Sequence, residues 1–159
     1  MNILVIGVGN EFCGDDAVGV LVARHLGEQY LPGVTVIEQN GEGSELITAW
    51  EGQERVIVID AAQSGAEPGT IHCFNAHNAP LPIEFFNFSS HAFGVAEAIK
   101  LSHILGELPD RLMVFGIEGV DFATGLGLSQ PVEQAFEIVV QRLLEEIQIF
   151  PTAKSSSVE

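Results

Sequence analysis

Two short stretches, Ile3-Leu4-Val5-Ile6 and Val56-Ile57-Val58-Ile59, are apolar at every position. A strand with one wet face alternates apolar and polar residues, whereas one that is apolar throughout is buried on both faces. In a chain of 159 residues that pattern places both stretches in the middle of a sheet covered by helices on each side. The first stretch runs into Gly7 and the second into Asp60, so each strand ends on a residue that suits a turn.

The segments between these strands carry helical spacing. Val18, Leu21, Val22 and Leu26 predict a helix from about Asp16 to Gly27. After the Pro32-Gly33 break comes a strand, Val34 to Glu38. Ser44 reads as the N-cap of a short helix reaching Trp50, and Arg55 to Asp60 is the next strand. Thr70 to Phe74 forms a short strand with no crossover helix before it, so it is expected to be antiparallel. Residues 75–88 have neither period and carry three phenylalanines, which predicts a long surface loop. Ser89-Ser90 would cap a helix from His91 to about Gly106. A strand from Leu112 to Ile117, a glycine-rich loop from Gly119 to Gln130 and a helix opened by Pro131 and ending near Ile147 complete the order. The expectation is one α/β domain over residues 1–150: a three-layer α/β/α fold, its five-stranded sheet mostly parallel with one strand antiparallel. Residues 151–159 read as a flexible tail.

Charge and cysteine usage exclude several functions. Twenty-two acidic residues against six basic ones give a formal net charge of −16, which repels phosphate backbones and anionic lipid. Neither nucleic acid nor membrane is an expected partner. Cys13 and Cys73 are too few for a disulfide framework and form no Cys-x-x-Cys pair. The N-terminus reads as a strand rather than a signal peptide, and no apolar run reaches the roughly 20 residues of a membrane helix. A cytoplasmic location follows as the expectation.

Open parallel sheets place their sites beyond the C-terminal ends of the strands, here just after Ile6, Ile37, Ile59 and Gly116. After the first strand stands Gly7-Val8-Gly9-Asn10-Glu11-Phe12-Cys13-Gly14-Asp15-Asp16. A dinucleotide fingerprint would need glycine where Phe12 stands, and two carboxylates would repel a pyrophosphate. The turn at Gly9 and Asn10 instead lets the backbone approach a peptide or a cation closely. Asp15 and Asp16 in a first helical turn are favoured by the helix dipole alone, but Asp60 ends a neighbouring strand, and the chain has only five aspartates. His91, after the aromatic loop, would complete a mixed nitrogen and oxygen set suited to a first-row divalent cation. His25, His72, His77 and His103 read as surface or loop residues. Cys13 has no base evident beside it and ranks low as a nucleophile.

The pattern GVGNEFCGDDAVG after the first strand, a later strand ending VIVIDA, and SSHAFG opening a helix resembles the hydrogenase maturation proteases, the C-terminal endopeptidases of [NiFe]-hydrogenase large subunits. The resemblance runs over about residues 1–148 and includes GIEG after the last strand. It implies one endoproteolytic cut that releases a C-terminal extension from the large-subunit precursor after nickel insertion. By motif it puts the nickel-recognising and catalytic residues at Asp16, Asp60 and His91, with nickel supplied by the precursor and no tightly bound metal in the isolated protein. Gly9, Asn10, Asp15, Glu38 and Phe86 are the expected substrate-binding residues. One departure stands out: the family often has an Asp-Gly-Gly-Thr turn after the second strand, and this chain has Glu38-Gln39-Asn40-Gly41. The aromatic loop with Phe85, Phe86 and Phe88 either grips the precursor's C-terminal peptide or caps the sheet edge. Two alternatives belong to other classes: a non-catalytic nucleotide-binding module, and a scaffold that holds nickel without cutting.

Overall fold

A computed structural model describes residues 2–78 and 93–158, with side chains as far as Gln148. The order is β1 (Ile3–Val8), a single 3-10 turn (Gly14–Ala17), α1 (Val18–Gly27), β2 (Val34–Gln39), α2 (Gly43–Trp50), β3 (Arg55–Ala62), β4 (Ile71–Asn75), α3 (Val95–Ile104), β5 (Arg111–Glu118) and α4 (Gln130–Val158). The five strands form one sheet in the order β2-β1-β3-β5-β4. β1, β2, β3 and β5 are parallel, and β4 runs antiparallel along β5, as its missing crossover helix predicts.

Strand alternation divides the core. Ile3 and Val5 of β1, Ile57, Ile59 and Ala61 of β3, and Phe115 and Ile117 of β5 pack with Val18, Val22 and Leu26 of α1 and with Val132, Val139 and Leu143 of α4. The intervening residues, among them Leu4, Ile6, Val56, Val58, Leu112 and Val114, pack on the other face with Leu46 and Trp50 of α2 and Val95, Ala98 and Ile99 of α3. The fully apolar runs of β1 and β3 are thus covered on both sides, and the fold is the expected three-layer α/β/α arrangement. Trp50 Nε1 donates to Ser102 Oγ at 3.1 Å, which ties α2 to α3 within that layer.

Glycine lets α1 lie close against the sheet. A Cβ on Gly19 would stand 2.3 Å from the Ile59 carbonyl oxygen and 2.5 Å from that of Val8, contacts that no side chain tolerates. The start of α1 is therefore seated over the junction of β1 and β3. This junction is also where the chain, having turned from β1 to β2 on one side, returns to β3 on the other. Crevices of this kind at the C-terminal strand ends are the usual ligand position of the fold class.

Three helix boundaries differ from expectation. The N-cap of α2 is Glu42 rather than Ser44: its carboxylate accepts from the amides of Ser44 and Glu45, both at 3.1 Å, and from the Ser44 hydroxyl. A full negative charge at the N-terminus, on a side chain long enough to reach two amides, displaces the hydroxyl cap. α3 begins at Val95, later than the Ser89-Ser90 cap implies, with Gly94 as N-cap and its amide donating to Glu97 Oε1 at 3.0 Å. Ser89, Ser90 and His91 lie outside the described residues, as does most of the aromatic loop. The backbone of α4 stays helical through Val158, past the end expected near Ile147.

Candidate functional site

Asp16 and Asp60 come together at the β1–β3 crevice. Asp60 is the sixth residue of β3, on the face of Val56 and Val58, and is only 5 % exposed. Its Oδ1 accepts the amide of Ala61 at 2.8 Å, and no hydrogen bond reaches its Oδ2 among the described residues. Burial, and secondly the charge of Asp16, push the Asp60 carboxyl well above the usual carboxylate range, with the Ala61 amide acting the other way. Asp16 lies in the 3-10 turn and accepts the Asn10 amide on Oδ2 at 3.0 Å; burial raises its pKa against that bond. Each carboxylate therefore keeps one oxygen free of hydrogen bonds among the described residues. Two desolvated like charges sharing a crevice are relieved either by a proton or by a cation placed between them.

The backbone that delivers Asp16 is tightly folded. Gly9 has φ of +143°, and a Cβ there would stand 1.9 Å from the Asp16 carbonyl oxygen. Asn10 Oδ1 accepts the Phe12 amide at 2.9 Å and the Asn10 carbonyl accepts the Cys13 amide at 3.2 Å, closing the loop before the 3-10 turn. The Asn10 amide, which a phosphate-cradling turn would point at its ligand, is bound to the Asp16 carboxylate instead. This is a structural reason, beside the Phe12 substitution, for setting the nucleotide reading aside.

Asp15 does not face the crevice. It is fully buried at 0 % exposure, and its carboxylate accepts the amides of Val120 (2.9 Å), Asp121 (3.0 Å) and Ser129 (2.7 Å) together with the Ser129 hydroxyl (2.8 Å). Burial alone would raise its pKa; the amides of Val120, Asp121 and Ser129 and the hydroxyl outweigh it and hold the carboxyl below the ordinary value. Three of these bonds fall on Oδ2 and one on Oδ1, and all four come from the 120–129 segment, so the side chain expected to bind substrate is here turned inward and buried. Glu38, at the end of β2, is held by Arg24 through Nε at 3.1 Å and Nη2 at 2.8 Å, and Arg24 also reaches Glu11 at 3.2 Å.

His91 and Phe86 lie outside the described residues. Among the described residues no group of three or more His, Cys, Asp or Glu side chains could hold a metal ion. Cys13 is partly buried and free, its neighbours being the Asn10 carbonyl and a bridge to Gly125. One buried carboxylate was given no role by the sequence, although it lies in the GIEG stretch. Glu118, the last residue of β5 and 1 % exposed, accepts the Ser64 amide and hydroxyl at 2.8 and 2.6 Å and lies 3.2 Å from His72 Nε2. The strand-end rule that ranked the position after Gly116 was signal enough to find it. His72, read as a surface or loop residue, is instead a half-buried member of β4 drawn in by Glu118.

Comparison with known proteins follows the same lines. A family model described as hydrogenase maturation protease (HycI) matches residues 20–146, a stretch that contains Asp60 and His91 and begins just after Asp16. The hydrogenase 2 maturation protease of Escherichia coli K12 is 30 % identical over 148 residues, covering 91 % of this chain and 89 % of its own. Among solved structures, the hydrogenase maturating endopeptidase HybD from E. coli superposes with a TM-score of 0.79 at 27 % identity, covering 93 % of each chain. The [NiFe] hydrogenase maturation protease HybD from Thermococcus kodakarensis does so at 0.70 and 25 % identity, over 92 % of this chain and 99 % of its own.

Proposed function

The chain belongs to the hydrogenase maturation protease family, and from that membership we propose that it removes the C-terminal extension of a [NiFe]-hydrogenase large-subunit precursor by one endoproteolytic cut after nickel has been inserted. The observation that carries this reading is the Asp16–Asp60 pair: two desolvated carboxylates at the topological switch of the sheet, each with an oxygen left for a ligand. In this reading nickel belongs to the substrate. The precursor's thiolates hold it, and Asp16, Asp60 and His91 fill its open positions when the two proteins dock. Carboxylate oxygens and an imidazole suit a first-row divalent cation, and a cation between Asp16 and Asp60 offsets the burial that raises both pKa values and the Asp16 charge that adds to it at Asp60. Nickel so held would supply Lewis-acid polarisation to the scissile carbonyl or to the attacking water, or would serve for recognition alone with one of the carboxylates as general base.

Two consequences follow for the isolated protein. Two carboxylates and one imidazole on separate elements make an open set with no thiolate, so the protein is expected to purify without stoichiometric nickel. Its partner is the precursor, approached by the crevice end of the sheet. Among the described residues no helix is long and apolar enough to cross a membrane. The site is tested by trimming of nickel-loaded precursor, read by intact mass. Asp16→Asn, Asp60→Asn and His91→Ala are each expected to leave the precursor uncut while preserving the circular dichroism of the fold. Full trimming by any of the three removes that residue from the set.

A further inference from the structure

Among the described residues the Asp16 carboxylate accepts a single hydrogen bond, from the Asn10 amide, so its place in the crevice depends on the backbone of the four-residue turn that carries it. That turn is fastened by the preceding residue. The Asp15 carboxylate accepts four bonds from the segment 120–129, and the Asp15 amide donates to the Asp121 carbonyl at 2.7 Å. Gly14 N donates to the Gly125 carbonyl at 3.0 Å, and Gly125 N returns a bond to the Phe12 carbonyl at 2.7 Å. The two segments also interlock sterically. A Cβ on Gly14, at φ +55°, would stand 2.3 Å from the Asp121 carbonyl oxygen, and a Cβ on Gly119 would stand 2.9 Å from the Asp15 Cβ. In a 3-10 turn neighbouring side chains diverge by a third of a revolution, so locking Asp15 into this loop turns Asp16 away from it.

We propose that Asp15 is a positioning residue: by anchoring the Gly14–Ala17 turn to the 119–129 loop, with Ser129 as its side-chain partner, it sets where the Asp16 carboxylate stands relative to Asp60. This rests on the functional reading above, in which Asp16 is a ligand to the substrate's nickel. A loop anchor with no such role would lower the melting temperature and leave turnover of the folded enzyme unchanged. A strut for a ligand changes turnover, because displacing a reacting group by about 1 Å is enough to cost about a hundredfold.

The test is steady-state trimming of nickel-loaded precursor by the wild type and by Asp15→Asn, Ser129→Ala and Asp60→Asn, each well below its melting midpoint. Asp15→Asn sets a carboxamide NH2 against amide donors, and its kcat is expected to fall about a hundredfold with KM unchanged within about twofold. Ser129→Ala keeps the three main-chain bonds, and its kcat is expected to fall about threefold to tenfold. Wild-type kcat in folded Asp15→Asn overturns the proposal; should that variant not fold, wild-type kcat in Ser129→Ala overturns it. Absence of trimming by the wild type, or equal trimming by Asp60→Asn, overturns the functional reading and the positioning role with it. An active wild type, an inert Asp60→Asn and a full-speed Asp15→Asn overturn the positioning role alone.

Discussion

Asp60 is where function and stability oppose each other. Its folded-state pKa is raised by burial and by Asp16, so the folded chain holds its proton more firmly than the unfolded chain does. The stability linked to that proton is fully present below the unfolded pKa, near 3.8, and is lost as pH rises through the folded value. Above the unfolded pKa, where burying Asp60 costs either its charge or the uptake of a proton, the residue is therefore a burden on the fold. Asp60→Asn is expected to raise the melting temperature, by about 2–4 °C for each kcal/mol relieved, while abolishing trimming. A lower melting temperature at neutral pH would show that Asp60 is held by partners stabilising its charge. Asp15 has the opposite sign. Its pKa lies below 3.8 in the folded chain, so its contribution is present above that value and is lost as pH falls through the folded pKa. Asp15→Asn should unfold at lower urea than the wild type at neutral pH, with the difference narrowing in acid; a constant difference across that range contradicts the assignment. The Cys13 amide donates to the Asn10 carbonyl and its backbone bridges to Gly125, and the sequence sets no evident base beside it. Cys13→Ser should keep most of its trimming activity, and iodoacetamide should leave the wild type active. A loss beyond about a hundredfold, the scale of a catalytic group, would make Cys13 the nucleophile.

The strands and the antiparallel sense of β4 were legible because their signals are local: unbroken apolar runs in β1 and β3, and no crossover helix before β4. The junction that brings Asp16 to Asp60 was legible only as a rule about strand ends, since the register Gly7 to Ile59 belongs to pairing between distant segments. The caps were misread where one polar side chain outcompeted another nearby. Glu42 and Ser44 both suit an N-cap, and only the geometry of the Asn40–Gly43 turn decides that the carboxylate reaches both amides. Asp15 was illegible for a different reason. Its partners Val120, Asp121 and Ser129 lie more than a hundred residues away, and an acid in a first helical turn is adequately explained by the dipole. Gly19 gives a test of the element that carries the site. Gly19→Ala forces α1 off the Ile59 and Val8 carbonyls, and chemical denaturation should show a loss of about 1–3 kcal/mol or more. A stability change near zero would mean that α1 tolerates a looser seat than its contacts imply.

Taken together, the chain puts its acid pair at the one edge of the sheet where the connections leave β1 to both sides, and closes that edge with two interlocked loops. A net charge of −16 surrounds a crevice whose own carboxylates repel each other, an arrangement suited to a cationic centre presented by a partner. The central claim is that this centre is the nickel already seated in the precursor. Its most direct measurement is the intact mass of the precursor after incubation with the wild-type protein, with and without prior nickel loading. The account predicts loss of the C-terminal extension from the nickel-loaded precursor and an unchanged mass for the nickel-free one. Equal trimming of both would contradict it, since Asp16, Asp60 and His91 would then be reading something other than nickel.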